Sequence, residues 1–380
     1  MSDQIGVFQG AGNGWYPKQE PIVPKPYHKY LKEDDLKITY PEIYSDKVKD
    51  EKTGELRDRT LQEIIDAVSN GSTVRLAKDY VEDVVIKAGK VIKLDLAGHT
   101  LKNKAADTIT VELGGGLTVT GKGMIDNITA GKAGIYNNGV TIVDDVFVTK
   151  SEAEYYAILN HGTMVITGNA VVYLRDKMTS SVIDNGYYDY ANTDPRSGYV
   201  VGTNIANPSI TIESGTFYGG RNALKNDDGG IAVVEGGVFT AGQCGFFNVN
   251  KMTIKDCVVP MANAEGQAAS GISGNMYAVY TKYYDDTNDT GHIIISGGDF
   301  AGLLAEDGAQ SVISISGGTF DRESPILDET KQHWEKKDGK YIVVAGAKPA
   351  DETETPAADP STATADAGTD TAANASTVTA

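Results

Sequence analysis

A parallel β-solenoid is the fold class this sequence predicts, and three observations predict it. An apolar β segment, a Gly, Asp or Ser turn and a second short β segment recur from about residue 70 to about 320, at intervals near 20–24 residues. No helical pattern separates these segments. Glycine is abundant, at 43 of 380 residues, without the period of collagen. A repeat of this length built from strands and Gly turns describes a stack of coils, in which each coil buries its apolar face only against its neighbours. Leucine-rich repeats share the period, but their LxxLxLxxN signature is absent. An antiparallel sandwich would need hairpin turns at a spacing of about 8–12 residues.

The recurring positions are Leu76, Leu96, Val119, Ile142, Ile166, Ile212, Val234, Ile254, Ile295 and Ile315. The two long intervals, 46 and 41 residues, each fit two coils with one obscured by an insertion. The count is then about twelve coils, a rod of about 55 Å at an interstrand spacing of about 4.8 Å. Its expected core is stacked Ile, Val, Leu and Phe, with glycines at the corners.

The flanking elements follow in order. Residues 1–58 read as an extended arm, rich in proline and carrying Phe8, Trp15, Tyr16, Tyr27 and Tyr30. Proline at that density opposes helix, and so many aromatics in a tail point to docking on a partner. Residues 60–69, TLQEIIDAVS, read as a helix with Leu61, Ile64, Ile65 and Val68 on one stripe. Thr60 and Glu63 form its capping box, and Asn70-Gly71 is its expected stop. This helix would cover the open N-terminal end of the solenoid, which spans 59–345. Residues 333–344, HWEKKDGKYIVV, read as a closing hairpin turning at Asp338-Gly339. Residues 346–380 form an acidic Ala/Thr-rich tail of the composition expected for disorder, with six acids and no base after Lys348.

The stretch TLQEIIDAVSNGSTVRLAKDYVEDVVIKAGKVIKLDLAGHTL, residues 60–101, resembles the cap and first coils of right-handed parallel β-helix proteins of the pectin-lyase-like group. ITIESGTF, VVEGGVF, IIISGGDF and ISISGGTF resemble coils of its phage-encoded and bacterial surface members. The resemblance covers about 60–345 and implies a right-handed, all-β helix. It implies no single activity, because lyases, hydrolases, adhesins and phage spikes share the fold. Lyases of the group are implied to hold Ca²⁺ in a groove of Asp residues beside a basic residue. The acids here, Asp126, Asp144, Asp145, Asp227, Asp228 and Asp256, show no such pattern, and several sit at turns. No lyase residue carries over, and neither a catalytic residue, a metal nor a cofactor is expected.

Two insertions concentrate tyrosines and carboxylates. Residues 184–204 supply Tyr187, Tyr188, Tyr190, Asp194 and Arg196, and residues 276–292 supply Tyr283, Tyr284, Asp285 and Asp286. An aromatic face with adjacent acceptors suits either a sugar ring or a protein surface. The insertions are expected about four coils, or roughly 19 Å, apart. GLTVTGKG, residues 116–123, resembles a P-loop but lacks the final Ser/Thr and the following helix, so a coil corner explains it. Asn103, Asn138 and Asn169, near corners, are candidates for a polar ladder. Cys244 and Cys257 fall on different faces of their coils and are expected as free thiols.

A formal charge of −18, from 34 basic and 52 acidic residues, disfavours nucleic-acid binding. No apolar run is long enough to span a membrane. The first residues lack the basic and apolar regions of a Sec signal. A phage virion protein, made in the host cytoplasm and released by lysis, reconciles that with a rod-like fold. The expectation is a non-catalytic capsid decoration or head-fibre protein on the virion surface. Its arm would bind the major capsid or another virion protein, its rod would contact surface polysaccharide, and a homotrimer is the expected assembly. The alternatives are a tailspike-like depolymerase and a bacterial surface adhesin.

Overall fold

The computed structural model describes residues 38–39, 48–175, 179–260, 277–284 and 289–348. Phe8, Trp15, Tyr16, Tyr27, Tyr30, Asp285 and Asp286 lie outside these residues, as does the chain from 349 onward.

Three parallel sheets wrap one apolar column in a right-handed solenoid. Sheet I runs from Ser72–Arg75 to Val312–Ile315, sheet II from Tyr80–Val81 to Thr319–Phe320, and sheet III from Val84–Ile86 to Leu303–Asp307. Each coil gives one strand to each sheet. Nine coils are complete, and a tenth contributes to sheets I and II only. The expected twelve is therefore too many, and the rod is about 45 Å long. The reason is direct: Ile166 pairs with Ile212, and Ile254 with Ile295. Each long interval therefore spans a single coil, and in the first of them residues 186–208 leave the sheets as a loop.

The register also moves three of the repeat positions. The inward column of sheet I is Val74, Leu94, Val119, Val143, Ile166, Ile212, Val234, Ile254, Ile295 and Ile315. Leu76, Leu96 and Ile142 were thus one or two residues out of register, because the corner between sheets I and II varies in length. Sheet II contributes Leu101, Ile125, Val148, Val172, Phe217, Phe239, Val259, Phe300 and Phe320, all buried. Phe217 stacks on Phe239 at 4.6 Å between ring centroids, and Phe300 on Phe320 at 5.2 Å. Burying each such side chain contributes about 1.5–3 kcal/mol.

One corner is polar. At the end of the sheet III strands, Asn137, Asn160, Asn185, Asn226 and Asn248 stack inside the solenoid, all fully buried. Each Nδ2 donates to the next Oδ1, at 2.7, 2.6, 2.7 and 2.8 Å, and Asn248 donates to Thr281 Oγ1 at 3.1 Å. The same amides donate to carbonyls of the following coil, among them Thr163, Ser209 and Lys251. The corner therefore satisfies backbone acceptors that the turn would otherwise strand. Of the three expected ladder residues, none is a rung. Asn103 bonds Ala106 O and Thr129 Oγ1 in another column, Asn138 is one residue beyond a rung, and Asn169 bonds Asp145 at the surface. Glycines let the coils close at this corner: a Cβ on Gly162 would lie 2.3 Å from Gly139 O.

Both ends are covered. Helix α1, Leu61–Ala67, begins at the expected capping box, with Thr60 and Glu63 bonding each other's backbone N–H groups. Leu61, Ile64 and Ile65 enter the core. Gln62 both donates to Val85 O and accepts from Val85 N, pairing the free edge of sheet III. The helix ends earlier than expected. Val68 is already extended, Lys90 Nζ binds the carbonyls of Asp66 and Val68, and Gly71 serves the turn into the first coil. Ile38–Thr39, within the stretch read as an arm, adds a parallel strand to sheet I. At the other end Gln332–Lys337 and Lys340–Ala345 form the closing hairpin, with Asp338 and Gly339 both at positive φ. Trp334 packs on Phe320 at 5.1 Å.

Asn160→Ala is expected to cost about 1–3 kcal/mol in chemical denaturation, because it strands buried partners on both sides. Asn169→Ala, at the surface, is expected to shift stability by less than about 0.5 kcal/mol. Equal effects of the two substitutions would contradict the ladder.

Candidate functional site

Side chains alternate along a strand, so the residue before each ladder position points outward. In register these are Tyr136, Leu159, Asp184, Lys225, Phe247 and Tyr280. This single row divides into a covered half and an open half.

The first insertion covers Tyr136 and Leu159. It leaves sheet III after Ile183–Asn185 and returns at Ser209–Ile212. Arg196 anchors it by a bidentate pair to Asp107 at 2.7 and 3.1 Å, and its guanidinium lies 4.5 Å from the Tyr136 ring centroid. Pro195 O accepts from Tyr136 Oη at 3.1 Å, from His161 Nδ1 at 3.1 Å and from Asn204 Nδ2 at 2.8 Å. Tyr187 is fully buried against His161, with ring centroids 4.5 Å apart, and its hydroxyl donates to Ile205 O. Tyr190 packs on Tyr187 and Tyr199. Asp194 Oδ1 accepts from Arg196 N, shaping the loop. Of the residues singled out in this insertion, the structure thus places Tyr187, Tyr190, Asp194 and Arg196 in loop anchoring. Tyr188 alone projects, at 72% exposure.

The open half is a cleft of about 500 Å³ on the outer face of coils 5–8. Its aromatic wall is Phe247, Tyr277 and Tyr280. Phe247 stacks on Tyr280 at 5.5 Å and 12°, and Tyr277 meets Tyr280 edge-on at 5.1 Å. Tyr156, Ser180, Ser181, Arg221, Asn222 and Gln243 supply hydroxyls, amides and a guanidinium. Tyr284, 55% exposed, closes one side with Lys282 Nζ 4.8 Å from its ring centroid. Tyr188 stands nearby, with Lys225 Nζ 5.3 Å from its ring centroid. The two insertions leave three coils apart, yet Tyr188 and Tyr284 converge around Lys225. Tyr188 and Tyr284, one from each insertion, therefore both border Lys225 despite the separation of the strands that carry them. Tyr283 stays with the rod, its hydroxyl accepting from Gln310 Nε2 at 3.0 Å.

Both lysines of the cleft are paired with carboxylates. Lys225 pairs with Asp227, and Lys282 with Asp307 at 3.0 Å. Tyr280 Oη also donates to Asp307, at 2.7 Å. Desolvation opposes the charge on Lys225, but Asp184 and Asp227 outweigh it and raise its pKa. Asp184 is fully buried beneath the cleft. Desolvation raises its pKa, Lys225 pulls it down, Asp227 adds to the rise, and a hydrogen bond from Tyr156 stabilises the carboxylate. Asp184 Oδ1 and Asn222 Oδ1 have no hydrogen-bond partner among the described residues.

Sequence reasoning missed Tyr156, Arg221, Lys225 and Phe247 as site residues. The available signal was the residue preceding each ladder asparagine, which is usable only once the register is known. Among the described residues no group of three His, Cys, Asp or Glu side chains is arranged to hold a metal ion. Cys244 and Cys257 are buried free thiols. No helix among the described residues is long and apolar enough to cross a membrane. Comparison with protein-family models, curated proteins and solved structures returned no significant match.

Burial holds the His161 pKa down to about 3. The unfolded chain takes up this proton below about pH 6.5, whereas the folded protein does not. The stability linked to His161 is therefore complete above that pH and is lost as pH falls toward about 3, by up to about 1.4 kcal/mol per pH unit. His161→Phe is expected to flatten the acid limb of the stability curve measured by denaturant titration. An unchanged slope would place His161 in contact with solvent.

Proposed function

We propose that this protein is a non-catalytic display rod of a phage virion, a capsid decoration or head-fibre type, whose sheet III cleft binds a neutral saccharide of a surface polysaccharide. The observation that carries the binding reading is the cleft itself. Flat rings of Phe247 and Tyr280 lie beside hydroxyl and amide groups, which suits the apolar face and the hydroxyl rim of a pyranose. Lys225 and Lys282 each have a carboxylate partner in place, and the Arg221 guanidinium donates to the neutral Gln243 side chain, so the two lysines do not select an anionic ligand by uncompensated charge. The Pro/aromatic composition of residues 1–58 supports an anchoring arm carrying Phe8, Trp15, Tyr16, Tyr27 and Tyr30, with the major capsid or another virion protein as its partner. A homotrimer fits a rod presented from a virion surface.

A specific feature favours a second reading, a depolymerase. Asp184 is a buried carboxyl with a raised pKa beside Tyr156 and the cleft, the environment of a general acid. The display reading predicts no new reducing ends from host polysaccharide. Release that disappears in Asp184→Asn would replace it with the enzymatic reading.

Binding is read by glycan array and titration calorimetry on the full chain. Phe247→Ala and Tyr280→Ala are each expected to weaken saccharide binding by about 1–3 kcal/mol, the scale of a truncated aromatic anchor, without changing the melting temperature by more than a few degrees. Undiminished binding in both variants would remove the cleft from the function. For the arm, addition of the full chain to capsids stripped of surface proteins is expected to add density that a chain lacking 1–58 does not.

A further inference from the structure

A second polar column lies inside coils 2–4, at the end of the sheet II strands. It consists of Asn103, Asn127 and Lys150, and all three are fully buried. Lys150 is the anomaly. Among the described residues no carboxylate makes an ion pair with it. Its Nζ instead sits 3.1 Å from Asn127 Oδ1 and against Thr129 O. Asn127 and Lys150 are direct partners on adjacent parallel strands, so both side chains enter the same interior space.

The Asn127 amide is fixed on every side. Oδ1 also accepts from Thr129 N at 2.9 Å, while Nδ2 donates to Ala106 O at 2.9 Å and Thr108 Oγ1 at 3.2 Å. Desolvation lowers the Lys150 pKa to about 8, although Asp107, Asp126 and Glu154 act in the opposite sense. An uncharged amine is thus accessible near neutral pH, and an uncharged amine is the nucleophilic form.

We propose that Lys150 and Asn127 condense to an intramolecular isopeptide bond that staples coil 3 to coil 4. The Nζ lone pair attacks Cγ of Asn127 and forms the new C–N bond. Charge then gathers on Oδ1, where the Thr129 N–H already donates. The Cγ–Nδ2 bond breaks next, and Nδ2 leaves as ammonia with one proton from the amine. That proton passes from Nζ to Nδ2 while both nitrogens are bonded to Cγ, and the Thr108 hydroxyl, which accepts from Nδ2 and donates to Asp126 O, holds the leaving nitrogen in place. No oxidant or cofactor enters, and one amide replaces another. Two factors drive the step: the register holds the reactants together, and the buried site keeps water from competing.

The test is the intact mass of the denatured full chain, followed by tryptic mapping. The expected mass is one ammonia below that of the sequence, with no cleavage after Lys150 and a branched peptide joining residues 127 and 150. Lys150→Met and Asn127→Ala are expected at full sequence mass, while the exposed-residue control Lys104→Met keeps the deficit. A wild-type chain at full mass, or a deficit that persists in Lys150→Met, would overturn the proposal.

Discussion

The asparagine ladder is the constraint on which the rest of the structure depends. Five buried amides, from Asn137 to Asn248, donate in one direction along the stack and end on Thr281. Each rung also holds a carbonyl of the next coil. A slip of one residue in any strand would turn a rung outward and leave its partners unsatisfied in the interior, at a cost of about 1–3 kcal/mol per group. Apolar stacking alone would not be so selective, since Val, Ile and Leu at neighbouring positions substitute for one another. The ladder therefore sets the register, and the hydrophobic column supplies most of the stabilisation.

Register in turn fixes the outer row. Tyr136, Leu159, Asp184, Lys225, Phe247 and Tyr280 face outward because each precedes a buried rung. The first insertion spends its polar and aromatic residues on covering one end of that row, Tyr136 and Leu159, through Arg196 on Asp107 and Tyr187 on His161. The uncovered half keeps its rings accessible on a rigid floor. A binding surface carried by strands holds its geometry better than one carried by loops, which is why the sheet supplies Phe247 and Tyr280 and the loops supply only the flanks, Tyr188 and Tyr284.

Much of this architecture was legible in the sequence, and the limits have physical causes. The capping box at Thr60 and Glu63 and the hairpin turn at Asp338-Gly339 are local signals, and both formed as read. The period gave the fold because every coil obeys the same burial rule. It gave the wrong number of coils because an apolar repeat cannot distinguish a degenerate coil from an outward loop, and only the pairing of Ile166 with Ile212 decides. The ladder was expected at Asn103, Asn138 and Asn169. Asn138 missed by one residue because variable corner lengths hide the inward position. The cleft was half visible. Tyr188 and Tyr284 stand out as insertion tyrosines, whereas Lys225 and Phe247 come from separate coils and meet only through the register.

The central claim is that one ladder-bound stack runs unbroken through both insertions. Hydrogen exchange of the full chain, read by mass spectrometry under native conditions, tests it most directly. The ladder-bearing sheet III strands, from Ile135–Asn137 through Tyr277–Lys282, are predicted to be the slowest to exchange and to open together in a single cooperative step as denaturant rises. Separate opening of the coils before and after residues 186–208 would contradict the account, because the two halves would then be independent bodies that no common register joins.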